Sequence, residues 1–170
     1  MKNLWSPWRS KYIESFSGKK ESEGCIFCNM LSCNPYSEDN LVVEIDKHSM
    51  VVMNLYPYNN GHLMIVPKRH LSKFSELNDD ELLECNKKLQ VYEKILSELI
   101  NPDGFNIGVN LGRVSGAGID DHIHFHLVPR WNGDTNFMPV LGEVKVISQD
   151  LLTLKKMLLN SLEKRKKSEV

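Results

Sequence analysis

Residues 41–67 read LVVEIDKHSMVVMNLYPYNNGHLMIVP, and this stretch decides the fold. Three apolar runs rich in Val, Leu, Ile and Met, namely LVVEI, MVVMNLY and HLMIVP, are separated by the polar or turn-forming DKHS and PYNNG. Short β-prone runs broken by turn residues predict an antiparallel meander. Beyond it, Asn78 is a good helix N-cap, and DDELLECNKKLQVYEKILSELI places Leu82, Leu89, Tyr92, Leu96 and Leu99 at helical spacing up to Asn101 and Pro102. Two further strands are expected at FNIGVN and HIHFHLV, joined by the Gly-rich GRVSGAG, and a last helix from Asp150 to about Lys166, capped by Ser148, with Leu151, Leu154, Leu158 and Leu162 on one face. The fold class is α+β: an antiparallel sheet of five to six strands with one long helix and a C-terminal helix.

The 170 residues fit one globular domain, and an apolar share of 41% with 25% charged residues is ordinary for a soluble protein. Residues 1–40 read as an N-terminal arm with a Cys-x-x-Cys knuckle that packs on the body, anchored by Trp5, Trp8 and Tyr12; residues 41–170 form the body. A net charge of −1 and a pI near 6.6 give no global field for nucleic acid or an anionic membrane. The opening residues lack a signal-peptide core, and the chain has no run of roughly 18 apolar residues, so a cytoplasmic address is expected. The cationic tail EKRKKSEV is read as a solvated helix end.

Chemistry concentrates in DDHIHFHLVPRW, residues 120–131. Strand side chains alternate faces, so His122, His124 and His126 project together while Ile123, Phe125 and Leu127 enter the core. On a regular strand the outer histidines would stand about 13 Å apart, too far to share one metal through bonds of about 2.0 Å. The row therefore divides its roles. Neutral imidazole serves as a nucleophile, and an imidazole N–H as a donor to phosphate oxygens. Of the four cysteines, Cys25 and Cys28 form a C-x-x-C pair suited to metal or redox chemistry, whereas Cys33 and Cys85 have no assigned duty.

His122, His124 and His126, followed by Leu127 and Val128, match H-φ-H-φ-H-φ-φ with φ apolar, and the chain resembles the histidine triad (HIT) family. The likeness extends to MNLYPYNNGHLMIVPKRH and to the run from Asn110 to His126, which are similar to that family's two nucleotide-contacting stretches. The resemblance implies His124 as the nucleophile on a nucleotide α-phosphate, with a covalent nucleotidyl-histidine splitting one displacement into two. It implies His126 at the phosphate, His62 against the phosphates, Asn54 on the ribose and Asn110 near the α-phosphate. Gly116 and Gly118 resemble the phosphate loop, where glycine lets backbone N–H groups approach anionic oxygens. Several branches carry glutamine where Gly118 stands, so Ser115 or a backbone amide takes over that contact.

Zinc-bearing members and the related galactose-phosphate uridylyltransferases imply a structural zinc site of Cys25, Cys28, His70 and His122. Those transferases carry proline between their two histidines and glutamine at the third place, so Ile123 and His126 disfavour hexose-phosphate transfer here. WSPWRSKY and PRWNGDTNFMPV resemble the bacterial diadenosine tetraphosphate phosphorylase and hydrolase branch, with Trp131 and Asn136 in segments near its active site. The implied reaction is cleavage of a dinucleoside polyphosphate at the α-phosphate, with the adenylyl group passed to phosphate or to water. A nucleoside phosphoramidate hydrolase and a nucleotide-binding regulator are the alternatives. The resemblance also implies a twofold homodimer through the long helix and adjoining strand, and the charge and hydropathy lead to the expectation of neither nucleic acid nor membrane as a partner.

Overall fold

The computed structural model describes residues 24–134 and 149–168; Trp5, Trp8, Tyr12, Asn136 and Ser148 lie outside them. Five strands form one antiparallel sheet: β1 (Val42–Ile45), β2 (Ser49–Met53), β3 (Leu63–Pro67), β4 (Gly104–Val109) and β5 (Phe125–Arg130), in the order β1-β2-β3-β5-β4. Helix α1 (Ile26–Met30) precedes the meander, the long α2 (Asp79–Ile100) links β3 to β4, and α3 (Leu151–Ser168) closes the chain. None of these helices is long and apolar enough to cross a membrane.

Strand alternation gives the sheet two different faces. Val51, Met53, Leu63, Ile65, Ile123, Phe125 and Leu127 join Leu89, Tyr92, Ile95 and Leu96 of α2 and Leu154, Leu158 and Leu162 of α3 in the main core. On the opposite face Val42, Met50, Val52, Met64 and Val66 pack against Phe27 of α1. Cross-strand partners share a face, and Met64, His126 and Gly108 lie opposite one another on β3, β5 and β4, so this second face carries the histidines.

Helix α2 starts with a capping box: the Glu81 N–H donates to Asn78 Oδ1 at 2.9 Å, and the Asn78 N–H to Glu81 Oε2 at 3.0 Å. It stops at Asn101, which takes a left-handed conformation (φ 44°) before Pro102. For α3 the expected cap moves. Asp150 itself accepts the Thr153 N–H at 2.9 Å, because its carboxylate stands three residues before an N–H without an intrahelical partner.

The histidine strand also begins later than expected, at Phe125. His122 and His124 occupy an extended lead-in, where the Ile123 N–H donates to the Leu71 carbonyl at 2.7 Å, beyond the end of β3. At the other turn, Gly61 lies at φ +76°, and a Cβ there would stand 2.8 Å from Ile100 Cδ1 and 3.1 Å from Pro129 Cγ. Only glycine brings the β2–β3 loop this close to α2 and β5, and the next residue is His62.

Candidate active site

The four knuckle side chains meet at one point. His122 Nδ1 stands 3.2 Å from Cys25 Sγ, 3.7 Å from Cys28 Sγ and 3.3 Å from His70 Nδ1, while Cys28 Sγ is 3.5 Å from His70 Nδ1. All four ligand atoms lie within 4.8 Å of one another. His122 Nε2 is 2.8 Å from the Pro67 carbonyl oxygen, which can only accept, so Nε2 carries the proton and Nδ1 turns a lone pair into the cluster. Arg69, beside His70, makes a two-pronged contact with the buried Glu81 of α2, at 2.9 and 2.8 Å. With both nitrogens committed, His122 serves the row through its backbone.

That service is direct. His124 Nδ1 donates to the His122 carbonyl at 2.9 Å, which leaves Nε2 as the unprotonated nitrogen of a neutral ring. The Phe27 ring packs on it at 5.1 Å between centroids. Burial pulls the His124 pKa below the ordinary 6.5, and the neighbouring His122 adds to this, outweighing the carbonyl hydrogen bond. The fold thus holds a bare imidazole nitrogen at neutral pH.

His126 carries the opposite polarity, set by a relay that starts on the backbone. The Tyr58 N–H donates to His62 Nδ1 at 3.0 Å, and Asn54 Nδ2 lies 3.3 Å from the same atom, so the His62 proton sits on Nε2. His62 Nε2 donates in turn to His126 Nδ1 at 2.9 Å, which forces the His126 proton onto Nε2. That N–H is buried and has no hydrogen-bond partner among the described residues. A buried orphan donor is costly unless a ligand completes it. Asn54 Oδ1 accepts the Tyr56 N–H at 2.9 Å, so the relay and its turn fix the orientation of the amide.

Burial also pushes the His126 pKa down to about 4, with His124 contributing. The unfolded chain takes up this proton near pH 6.5 and the folded chain near 4, so between these values the unfolded state binds more protons. Stability from this group is full above pH 6.5 and is lost as the pH falls towards 4, by up to about 3 kcal/mol. Denaturant midpoints measured at pH 7 and pH 4.5 are expected to separate less in His126→Gln than in the parent chain.

A cleft of about 370 Å³ lies against His126, bounded by Asn110 and also by Tyr58, Asn59, Asn106 and Arg130. Arg130 is held by Asp134 through Nε at 2.6 Å and Nη2 at 2.8 Å, and its Nη1 donates to Asn106 Oδ1. This guanidinium keeps the Asp134 carboxyl down at about 2. Sequence spacing offered one signal for the pair, opposite charges four residues apart, but not the bend that closes it. Trp131 ties its indole N–H to the Asn101 carbonyl at 3.1 Å. Ser115 Oγ donates to the Gly112 carbonyl at 2.7 Å, Gly116 is left-handed at φ +91°, and Gly118 is exposed.

Known proteins match this architecture. The HIT domain family matches residues 36–133. An AP-4-A phosphorylase of Mycobacterium tuberculosis is 36% identical over 165 residues, covering 93% of this chain and 83% of that protein. An adenosine 5'-monophosphoramidase of Schizosaccharomyces pombe is 30% identical over 112 residues, covering 64% of this chain and 75% of that protein. Among solved structures, a zinc-bound histidine triad family protein from Mycobacterium smegmatis superposes with a TM-score of 0.67 at 22% identity, covering 85% of this chain and 97% of its own. The matched residues include the relay, the row and the Gly-rich loop, and the chain belongs to the HIT domain family.

Proposed function

We propose that this chain is a nucleotidyltransferase that cleaves dinucleoside polyphosphates of the diadenosine tetraphosphate kind at the α-phosphate through an adenylyl-His124 intermediate, and passes the adenylyl group to inorganic phosphate. The observation that carries this reading is the pair of fixed, opposite tautomers. His124 offers a bare Nε2, and His126, its ring 4.8 Å away, offers a buried Nε2–H. Nucleophile and phosphate donor thus stand side by side before substrate arrives.

In the first step the His124 Nε2 lone pair forms a bond to the α-phosphorus, and the bond from phosphorus to the departing polyphosphate oxygen breaks with its electron pair. The His126 N–H donates to that side of the phosphate, and the His124 Nδ1–H on the His122 carbonyl stabilises the cationic adenylated ring. In the second step a phosphate oxygen forms a bond to the same phosphorus while the phosphorus–Nε2 bond breaks and returns its electron pair to the ring, yielding ADP and restoring neutral His124. The similarity to the M. tuberculosis phosphorylase favours phosphate over water as acceptor. Incubation with diadenosine tetraphosphate tests this: ADP formed only when phosphate is present is expected, whereas AMP formed regardless of phosphate points to a hydrolase and overturns the assignment. Turnover restricted to adenosine phosphoramidate would favour the second reading, supported by the S. pombe relative.

The relay makes His62 a positioning residue. In His62→Leu, His126 loses the partner that fixes its proton, and kcat is expected to fall on the order of 10- to 100-fold with KM changed far less. Steady-state kinetics at pH 7 check the split; His62→Gln, whose amide can still donate to His126 Nδ1, should recover part of the loss.

The knuckle fits zinc. Bonds of about 2.0–2.3 Å in a tetrahedron place ligand atoms roughly 3.3–3.8 Å apart, close to the distances here, and the donor set is two sulfurs and two imidazole nitrogens. Cys25, Cys28, His70 and His122 would hold the ion, which supplies a structural anchor and no Lewis-acid step. A twofold homodimer through α2 and the adjoining β4 completes the reading. Its support is that β4 is an edge strand with Asn106, Ile107 and Gly108 exposed, and gel filtration with light scattering checks it.

A further inference from the structure

Cys25 and Cys28 flank Phe27 in a single turn of chain. The Asn29 N–H donates to the Cys25 carbonyl at 3.0 Å and closes that turn, and the two sulfurs lie within the 4.8 Å that encloses all the knuckle's ligand atoms. One helical turn separates Cα atoms by roughly 5 Å, inside the span of about 4.4–6.8 Å that a disulfide bridges. The knuckle is also open on one side. His122 is 1% exposed, whereas His70 is exposed and Cys28, facing it at 3.5 Å, is half-buried. Of the other cysteines, Cys85 is fully buried in the main core and Cys33 packs against the second core, outside the ligand cluster.

What happens at the two sulfurs reaches the row by two short routes. Phe27, between them in sequence, packs its ring 5.5 Å from that of His122 and 5.1 Å from that of His124. The His122 carbonyl accepts the His124 Nδ1–H at 2.9 Å, and the His122 Nδ1 faces Cys25 Sγ at 3.2 Å. We propose that Cys25 and Cys28 are an oxidative modification site for hydroperoxides, whose closure to a disulfide empties the knuckle and slackens the support of His124. The proposal rests on the zinc reading above, because metal ligation holds sulfurs as thiolates, the form that reacts with peroxide. In the first step the more open Cys28 thiolate forms a bond to a peroxide oxygen, the O–O bond breaks and hydroxide leaves, giving a sulfenic acid. The Cys25 thiolate then attacks that sulfur, the S–S bond forms, and the S–O bond breaks with loss of a second hydroxide. Two thiolates lose two electrons, the peroxide gains them, and His70 and His122 alone remain as ligands.

The test uses the unaltered chain, its zinc content measured beforehand by elemental analysis. A few molar equivalents of hydrogen peroxide are expected to release one zinc per chain to a chromogenic chelator, in step with a Cys25–Cys28 disulfide found by peptide mapping. The same treatment should displace the His124 imidazole signals in NMR spectra and lower kcat for diadenosine tetraphosphate at least about tenfold. Dithiothreitol with added zinc should restore both, and Cys33→Ser should respond as the parent does. Thiols that survive the peroxide, a disulfide that uses Cys33, or closure that leaves the His124 signals unmoved overturns the proposal, whether or not zinc is bound. A chain that carries no zinc yet closes the same disulfide and shifts His124 keeps the modification site while the zinc reading falls.

Discussion

Replacing His124 with alanine is expected to lower the rate of diadenosine tetraphosphate cleavage on the order of 10⁴-fold or more, while nucleotide affinity changes only a few-fold. The size of the loss follows from the neighbours. No second bare nitrogen is available to substitute, because His126 holds its proton on Nε2 under the control of His62, and His122 has Nε2 on the Pro67 carbonyl and Nδ1 in the knuckle. Removing the nucleophile therefore leaves a site that binds and polarises phosphate without a covalent route. Quenched single turnovers followed by intact-mass measurement should show an adenylyl adduct on the parent chain, labile in acid as a phosphoramidate is, and none on His124→Ala. Activity within 100-fold of the parent, or an adduct that persists in the variant, sinks the covalent scheme. Partial recovery of His124→Gly by added imidazole would locate the missing group as the ring itself.

The sheet, the long helix and the histidine row were legible because each is written in local periodicity. The apolar runs from Leu41 to Pro67, broken by turn residues, appear as β1, β2 and β3, and Asn78 with Glu81 forms the N-terminal box of α2. The proton positions were not legible. Each depends on a single acceptor or donor brought from elsewhere in the fold: the Pro67 carbonyl for His122, the Tyr58 N–H for His62 and, through it, His126. A regular strand through all three histidines was expected from alternation. The structure begins the strand only at Phe125 because His122 is held in the knuckle, with its ring 5.1 Å from that of His70, and the lead-in bonds to Leu71. The histidines still share one face, so the division of labour follows from which partner each ring meets. Tyr58, Asn59 and Asn106 were missed since nothing in their spacing marks a wall that only the β2–β3 loop and β4 together create.

Cys28→Ser is expected to abolish stoichiometric zinc and to lower the melting temperature by about 10 °C, equivalent to roughly 3 kcal/mol or more at this chain length. The knuckle joins two parts of the chain, the segment carrying Cys25, Cys28 and Phe27 and the lead-in carrying His122 and His124, which also meet where the Phe27 ring packs on both histidines. Loss of one sulfur leaves the His122 Nδ1 lone pair and the Cys25 thiol, which burial pushes up in pKa, facing each other without a cation. Phe27 then loses the anchor on either side of it and packs less firmly on the second face of the sheet. A strong chelator should reproduce the shift in the parent chain and add nothing in the variant, whereas Cys33→Ser, outside the cluster, should retain one zinc per chain. Elemental analysis and thermal denaturation read both effects without reference to activity. Because the His122 carbonyl is the acceptor for His124 Nδ1, the variant should also lose kcat more than it gains KM. A parent chain purified without zinc that binds none on reconstitution, or a Cys28→Ser chain with an unchanged melting temperature, would show that four well-placed ligands hold the fold without metal.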